Sequence, residues 1–174
     1  METQELTSQQ QTEQTAKSYK ATIEALDVLE TALQELADRG VDIRDADRRQ
    51  VSAAIRMNYD ATGDAVRMAA QREEALDLFD DMDMSEVSDS SLVSVWLDQQ
   101  LEIVAKGSKS LGSSDDWTTD AYEILLGYGG PSVRLTVYPG QAYGSLKVDW
   151  WNEHAAEMVH CPGISDYLES LDFS

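Results

Sequence analysis

The hydrophobic pattern of this 174-residue chain changes period partway along, and that change restricts the fold more than any other feature. In roughly the first two thirds, apolar residues recur at three- and four-residue steps, the spacing of one face of a helix. From about residue 117 they alternate, the spacing of a half-buried strand. Tyr19, Ile23, Leu26, Leu29, Leu33 and Leu36 mark a helix over 16–39, and Gly40 suits the left-handed residue that follows a helix end. Asp45 or Asp47 is placed to cap a second helix running to about Phe79 through Val51, Ile55, Ala69 and Leu76, with Gly63 as its weak point. The two predict an antiparallel hairpin joined around 40–46 and packed through Ile23, Leu26, Leu33, Val51, Ile55 and Leu76. A third helix is expected over 90–106 on Leu92, Val93, Trp96, Leu97, Leu101 and Val104, ended by Lys106 and Gly107.

After a polar linker at 108–116, strands are expected at 122–126, 133–138 and 146–151, joined by turns at 127–131 and 139–144. Val133, Leu135 and Val137 fall on one face, Arg134, Thr136 and Tyr138 on the other, and Trp150 and Trp151 point to opposite faces. A helix over 152–160 and a short one around 164–171 close the chain. The expected fold is α+β: a helical hairpin and a third helix, then a three-stranded antiparallel sheet and a short C-terminal helix. The organisation follows as a flexible tail at 1–14, a helical region at 15–112 and a small sheet region at 113–174. A parallel sheet, or a strand before residue 110, contradicts this reading.

Charge bears on function. The chain has 33 acidic and 13 basic residues, a formal net charge of −20. Residues 1–72 hold 13 acids and 9 bases, whereas 73–174 hold 20 acids and only Lys106, Lys109, Arg134 and Lys147. So much like charge opposes compaction, and it repels nucleic acids and anionic lipid. Direct nucleic-acid binding is therefore not expected, and a basic protein surface is the natural partner. No apolar run is long enough to span a membrane. The first 14 residues lack the basic and apolar regions of a signal peptide. A single cysteine, Cys161, rules out an internal disulfide and fits a reducing cytoplasm.

Catalytic and metal chemistry find little support. His154, His160 and Cys161 lie near Asp149, Glu153 and Glu157, but histidines six apart fall on different faces of the expected helix. His160-Cys161-Pro162-Gly163 reads as a helix end with a stop signal. Asp77, Asp80, Asp81 and Asp83 suggest calcium, yet counting from Asp81, position six is Glu86 rather than glycine and position twelve is Leu92 rather than glutamate. Phosphate-binding and hydrolase motifs are lacking. No cofactor and no enzymatic activity are expected.

Residues 73–105 contain ten acids and no lysine or arginine, and Glu73, Glu74, Asp77, Asp80, Asp81, Asp83 and Glu86 form the densest cluster. Acids three and four apart on a helix lie about 5–6 Å from each other, close to the separation of successive phosphates on a strand. A groove of Lys and Arg built for phosphates accepts such a row. Two other readings compete. Salt adaptation accounts for 19 Asp against 14 Glu and for only 5 lysines. A helical hairpin pairing two copies as an adaptor or homodimer is the third.

The segment Tyr122-Glu-Ile-Leu-Leu-Gly-Tyr-Gly-Gly-Pro-Ser-Val-Arg134, with Val148-Asp149-Trp150-Trp151 one strand later, resembles small proteins of phages and conjugative elements. In size, charge and lack of catalytic motifs the chain also resembles the DNA-mimicking phage inhibitors of restriction and CRISPR systems. The resemblance implies a mobile-element origin, a host-cell cytoplasmic setting, and a basic nucleic-acid-handling complex of the host as partner.

Overall fold

The computed structural model describes residues 7–59, 65–108 and 118–171. They form two compact units, one of residues up to Lys20 together with those from Gln100 onward, the other of Ala21–Gln99. The first helix, α1 (Ser8–Asp38), contributes to both. It starts inside the expected tail: Thr7 Oγ1 accepts from the Gln10 amide at 3.3 Å while Gln10 Oε1 accepts from the Thr7 amide at 2.9 Å. This reciprocal cap satisfies two amide donors and starts a helix where composition alone suggests a loose end. The helix stops as expected. Gly40 has φ +79°, its amide donates to Ala37 O, and the Val41 amide donates to Leu36 O.

In the Ala21–Gln99 unit, a 3-10 turn (Ile43–Asp45) leads to α2 (Arg48–Tyr59), α3 (Ala65–Asp81), α4 (Met84–Asp89) and α5 (Leu92–Asp98). Asp47 proves to be the cap of α2, accepting from the Gln50 amide at 2.8 Å. The single helix expected to reach Phe79 is two helices, and Gly63 lies outside the described residues. The close antiparallel pair is α2 with α3, since Arg48 at the start of α2 reaches Leu76, Asp77 and Asp80 near the end of α3. The expected hairpin of the first two helices is thereby corrected: Arg39, just past the end of α1, has its Nη2 3.5 Å from Sδ of Met57, near the end of α2 rather than its start. The expected core residues Ile23, Leu26, Leu33, Val51, Ile55 and Leu76 are all buried. Leu33 is 5% exposed, so Leu33→Ala should destabilise by about 2–5 kcal/mol. A thermal melt with an unchanged midpoint would remove Leu33 from the core.

The other unit is built on β1 (Glu102–Ser108), β2 (Thr118–Gly127), β3 (Ser132–Val137), β4 (Tyr143–Trp150) and β5 (Glu153–His160), followed by α6 (Pro162–Ser170). The sheet is an antiparallel meander in the order β1-β2-β3-β4-β5. The α+β class stands, with five strands in place of three. Two helical expectations fail. Residues 102–106, read as the end of a third helix, belong to β1, a strand before residue 110 paired to β2. Residues 153–160, read as a helix, pair along their whole length with β4. The expected boundary at 112/113 falls outside the described residues, and β1 already belongs to the sheet unit.

One face of the sheet is apolar. Ile103, Ile124, Leu135 and Leu146 lie in cross-strand register, as do Tyr122 and Val137 and, one row over, Val133 and Val148. Within this unit α1 and α6 lie on that face: Tyr19 OH donates to Leu126 O at 3.5 Å, Lys20 Nζ pairs with Glu157 at 3.2 Å, and Ser165 Oγ donates to Tyr138 O at 3.3 Å. Pro162 opens α6 at a position where its missing N–H leaves nothing unpaired, so the proline read as a stop signal is a start. Trp150 is half-buried, and Trp151 sits in the β4–β5 turn at φ +53°, 90% exposed, rather than on a strand.

Candidate functional site

The acidic row runs from α3 into α4, and the structure divides it in two. Glu73, Asp77 and Asp80 are spaced to share one face of α3, and all three meet Arg48 of α2. Arg48 Nη2 lies 3.6 Å from Glu73 and 3.1 Å from Asp77, Nη1 pairs with Asp80, and Nη1 also donates to Leu76 O at 3.0 Å. The hydrogen bond to Asp77, and after it that to Asp80, hold the guanidinium pKa above its ordinary value. Glu73 further accepts from Arg72 at 3.1 Å. These three acids are thus not the unpaired cluster the charge pattern suggests. A cation more than twenty residues away in sequence neutralises part of their field, and no local pattern reveals it.

Glu74 leaves the row. It is half-buried and accepts from Thr22 Oγ1 at 2.6 Å. The remaining acids are exposed: Asp81 ends α3, Asp83 caps α4, and Glu86 stands in the first turn of α4. Asp83 Oδ1 accepts from the Ser85 amide at 2.8 Å, which explains why an acid stands there: it satisfies a helix-end donor and suits the positive end of the dipole. Among the described residues, Asp81, Asp83 and Glu86 form no ion pair within 4.0 Å. The same unit holds a further compensated acid, Asp42, whose pKa the Arg44 guanidinium lowers to about 2.

The histidine region is organised differently from the expectation. On a strand, His154 and His160 share one face rather than opposite ones, yet six residues of strand separate them by about 20 Å. His154 Nδ1 lies 2.7 Å from Asp149 Oδ1, and the His160 ring meets Tyr143 edge-on with centroids 5.0 Å apart. Cys161 is buried. No three His, Cys, Asp or Glu among the described residues gather closely enough to hold a metal ion. A shallow cleft of about 330 Å³ between α1 and β5 is lined by Glu13, Lys17, His154 and Glu157 among others, charges of both signs without a convergent reacting geometry. No helix among the described residues is long and apolar enough to cross a membrane. Comparison with protein-family models, with curated proteins and with solved structures finds no match to this chain.

Proposed function

We propose that this chain is a non-enzymatic inhibitor carried by a phage or other mobile element. In this reading it acts in the host cytoplasm on a basic, nucleic-acid-handling defence complex, and its acidic face occupies a groove made for DNA. The observation that carries the reading is the exposed run Asp81, Asp83 and Glu86, without an ion pair among the described residues, continuing the partly neutralised row Glu73, Asp77 and Asp80. Leaving carboxylates together at a surface without cations stores repulsion that a Lys/Arg groove relieves. Glu74 drops out of the contact set, because Thr22 holds it. Arg48 sets the shape of the neighbouring part of the row.

The test has two steps. Pull-down from a host lysate identifies the bound complex, and a competition assay then measures whether target DNA displaces the protein. Mutual exclusion that weakens as salt rises is the expected result. The informative variant combines Asp81→Lys and Glu86→Lys with Asp83→Asn, which removes charge but keeps a capping oxygen for α4. It should lose inhibition by about tenfold or more while melting no lower than the parent. Equal inhibition by parent and variant, or DNA and protein bound together to the target, defeats mimicry through this face.

Salt adaptation is the second reading. It is favoured by exposed acids far from the row in sequence, at Glu102, Asp120 and Asp166. A chain adapted to a concentrated cytoplasm spreads its acids in this way.

A further inference from the structure

The two edges of the sheet, β1 and β5, are built differently. β1 bears Lys106 and a register shift at Lys106/Gly107, two devices that keep an edge from pairing with another chain. β5 has neither. It holds no proline, lysine or arginine, and its register with β4 runs unbroken from Glu153 to His160. Its hydrogen-bond phase is fixed as well. The Cys161 amide donates to Ala142 O at 2.8 Å, in line with the Tyr143–His160 register, so the odd-numbered residues of β5 exchange bonds with β4. The amides and carbonyls of His154, Ala156 and Met158 therefore point away from the sheet, and none has a hydrogen-bond partner among the described residues. The side chains of these three are exposed, whereas Ala155 and Glu157 are half-buried on the face that holds α1. Lys20 compensates Glu157 at 3.2 Å. The cleft of about 330 Å³ is lined by His154 and Ala156 of one face and by Ala155 and Glu157 of the other, which places it along the strand edge itself and leaves that edge approachable.

We infer that β5 pairs antiparallel with β5 of a second copy of the chain, about a two-fold axis at Ala156, to make one continuous sheet. Backbone pairing alone accepts any extended segment, so side chains select the occupant. A two-fold that keeps each sheet face in register must pass through a residue, and β5 offers few choices. Centred on Ala155, it sets Glu153 against Glu157. Centred on Glu157, it sets that glutamate against itself, and like charges directly opposite are unfavourable. Centred on His154 or Met158, the pairing runs into the β4–β5 turn or into Pro162 at the start of α6. Centred on Ala156, it sets Ala156 against Ala156, His154 against Met158, Ala155 against Glu157 and Glu153 against Val159. No like charges are opposed, and small side chains meet at the axis. In this register Ala156 bonds its counterpart, and His154 bonds Met158, through the backbone groups that β4 leaves open. The contact is isologous, so it closes at two copies. It lies within the sheet unit and is independent of the inhibitor reading, which rests on α3 and α4.

Ionic strength supplies a signature. Two chains of net charge −20 repel, while backbone hydrogen bonds are little affected by screening. Association should therefore strengthen steadily from roughly 0.01 M to roughly 1 M salt, as the Debye length falls from about 30 Å to about 3 Å. One strand-to-strand contact is a small interface, so sedimentation of the full chain from roughly 1 μM to roughly 1 mM should show a monomer–dimer equilibrium. Ala156→Lys should raise the dissociation constant about tenfold or more although it lowers the net negative charge, because it sets like charges opposite each other at the axis. Ala156→Pro should do the same by removing an outward N–H that β4 does not use, while circular dichroism stays that of the parent. His154→Glu with Met158→Lys should tighten the dimer, because each glutamate then opposes a lysine of the other copy. This gain guards against a loss that merely reflects poor folding. A parent that stays monomeric at every salt level overturns the inference. So does assembly unmoved by Ala156→Lys, which places the contact elsewhere, or assembly weakened by the His154→Glu, Met158→Lys pair, which contradicts the register. Binding of a labelled lysine-rich extended peptide that is lost with Ala156→Pro, in a parent that stays monomeric, assigns the edge to a peptide partner and overturns it equally.

Discussion

Replacing Gly144 should damage this protein more than any other single substitution in the sheet. Gly144 lies on β4 between Val137 of β3 and Val159 of β5, on the buried face. A Cβ added there meets Thr136 O at 2.8 Å, Cys161 Sγ at 3.1 Å and Leu135 Cδ1 at 3.1 Å. The first of these is backbone of the neighbouring strand, so it cannot turn aside as a side chain can. Overpacking of this kind costs about 1–3 kcal/mol for the smallest insertions, and a branched side chain costs more because Cys161 and Leu135 must move as well. Gly144→Ala should lower the urea midpoint clearly, and Gly144→Val should leave little folded protein. Gly130→Ala is the control: its added Cβ meets only Trp150, at an ordinary 3.7 Å, and its midpoint should stay near the parent's. Equal midpoints for Gly144→Val and the parent would mean that β3, β4 and β5 do not pack as described.

Salt should raise the melting temperature by several degrees or more. With a net charge of −20 and acids crowded along α3 and α4, repulsion among carboxylates is the main unfavourable term that solvent can change. Between 0.1 M and 1 M salt the Debye length falls from about 10 Å to about 3 Å, which separates one exposed carboxylate from the next. Each kcal/mol relieved is worth about 2–4 °C in a chain of this size. The Arg48 and Arg44 pairs are weakened by the same salt, so the net rise measures how far repulsion exceeds attraction. Moderate acidification acts in the same direction by removing negative charge, until Asp42 is reached. Its pKa is depressed, so its contribution is fully present above about 3.8 and is lost as pH falls through about 2. The melting series also separates the functional readings. A chain stable in dilute buffer counts against salt adaptation, whereas folding confined to near-molar salt counts against an inhibitor working in an ordinary host. A melting temperature independent of salt would refute the repulsion argument itself.

Within the candidate site, the sequence was informative about which acids are crowded and silent about which are compensated. Glu73, Asp77 and Asp80 fall in a row by spacing alone, but whether Arg48 lies against them depends on how α2 packs on α3. Glu74 differs from its neighbour only in direction around the helix, and a threonine of α1 takes it. Outside the site, Arg134 and Lys147, 13 positions apart in sequence, stand opposite each other only through the β3–β4 register.

Local chemistry was sufficient wherever it had no competitor. The stripe of α1 and the Gly40 ending follow from side-chain period and a left-handed glycine, and a short acceptor at a helix start narrows the α2 cap to Asp45 or Asp47, of which the structure takes Asp47. The strands β3 and β4 follow from strict alternation between turns, and Gly129 takes the positive φ, +92°, that the β2–β3 turn needs. Tertiary structure decided the segments whose local preferences were divided or misleading. Leu97, Leu101 and Val104 are spaced for a helix, yet Ile103 and Ala105 also alternate, and pairing with Ile124 and Tyr122 makes 102–108 a strand. Residues 153–160 contain Ala, Glu and Met, which favour helix, but β4 presents a full row of backbone donors and acceptors. Helix propensity amounts to a few tenths of a kcal/mol per residue, whereas each unmet buried backbone group costs about 1–3 kcal/mol, so the edge of the existing sheet sets the conformation of the chain beside it.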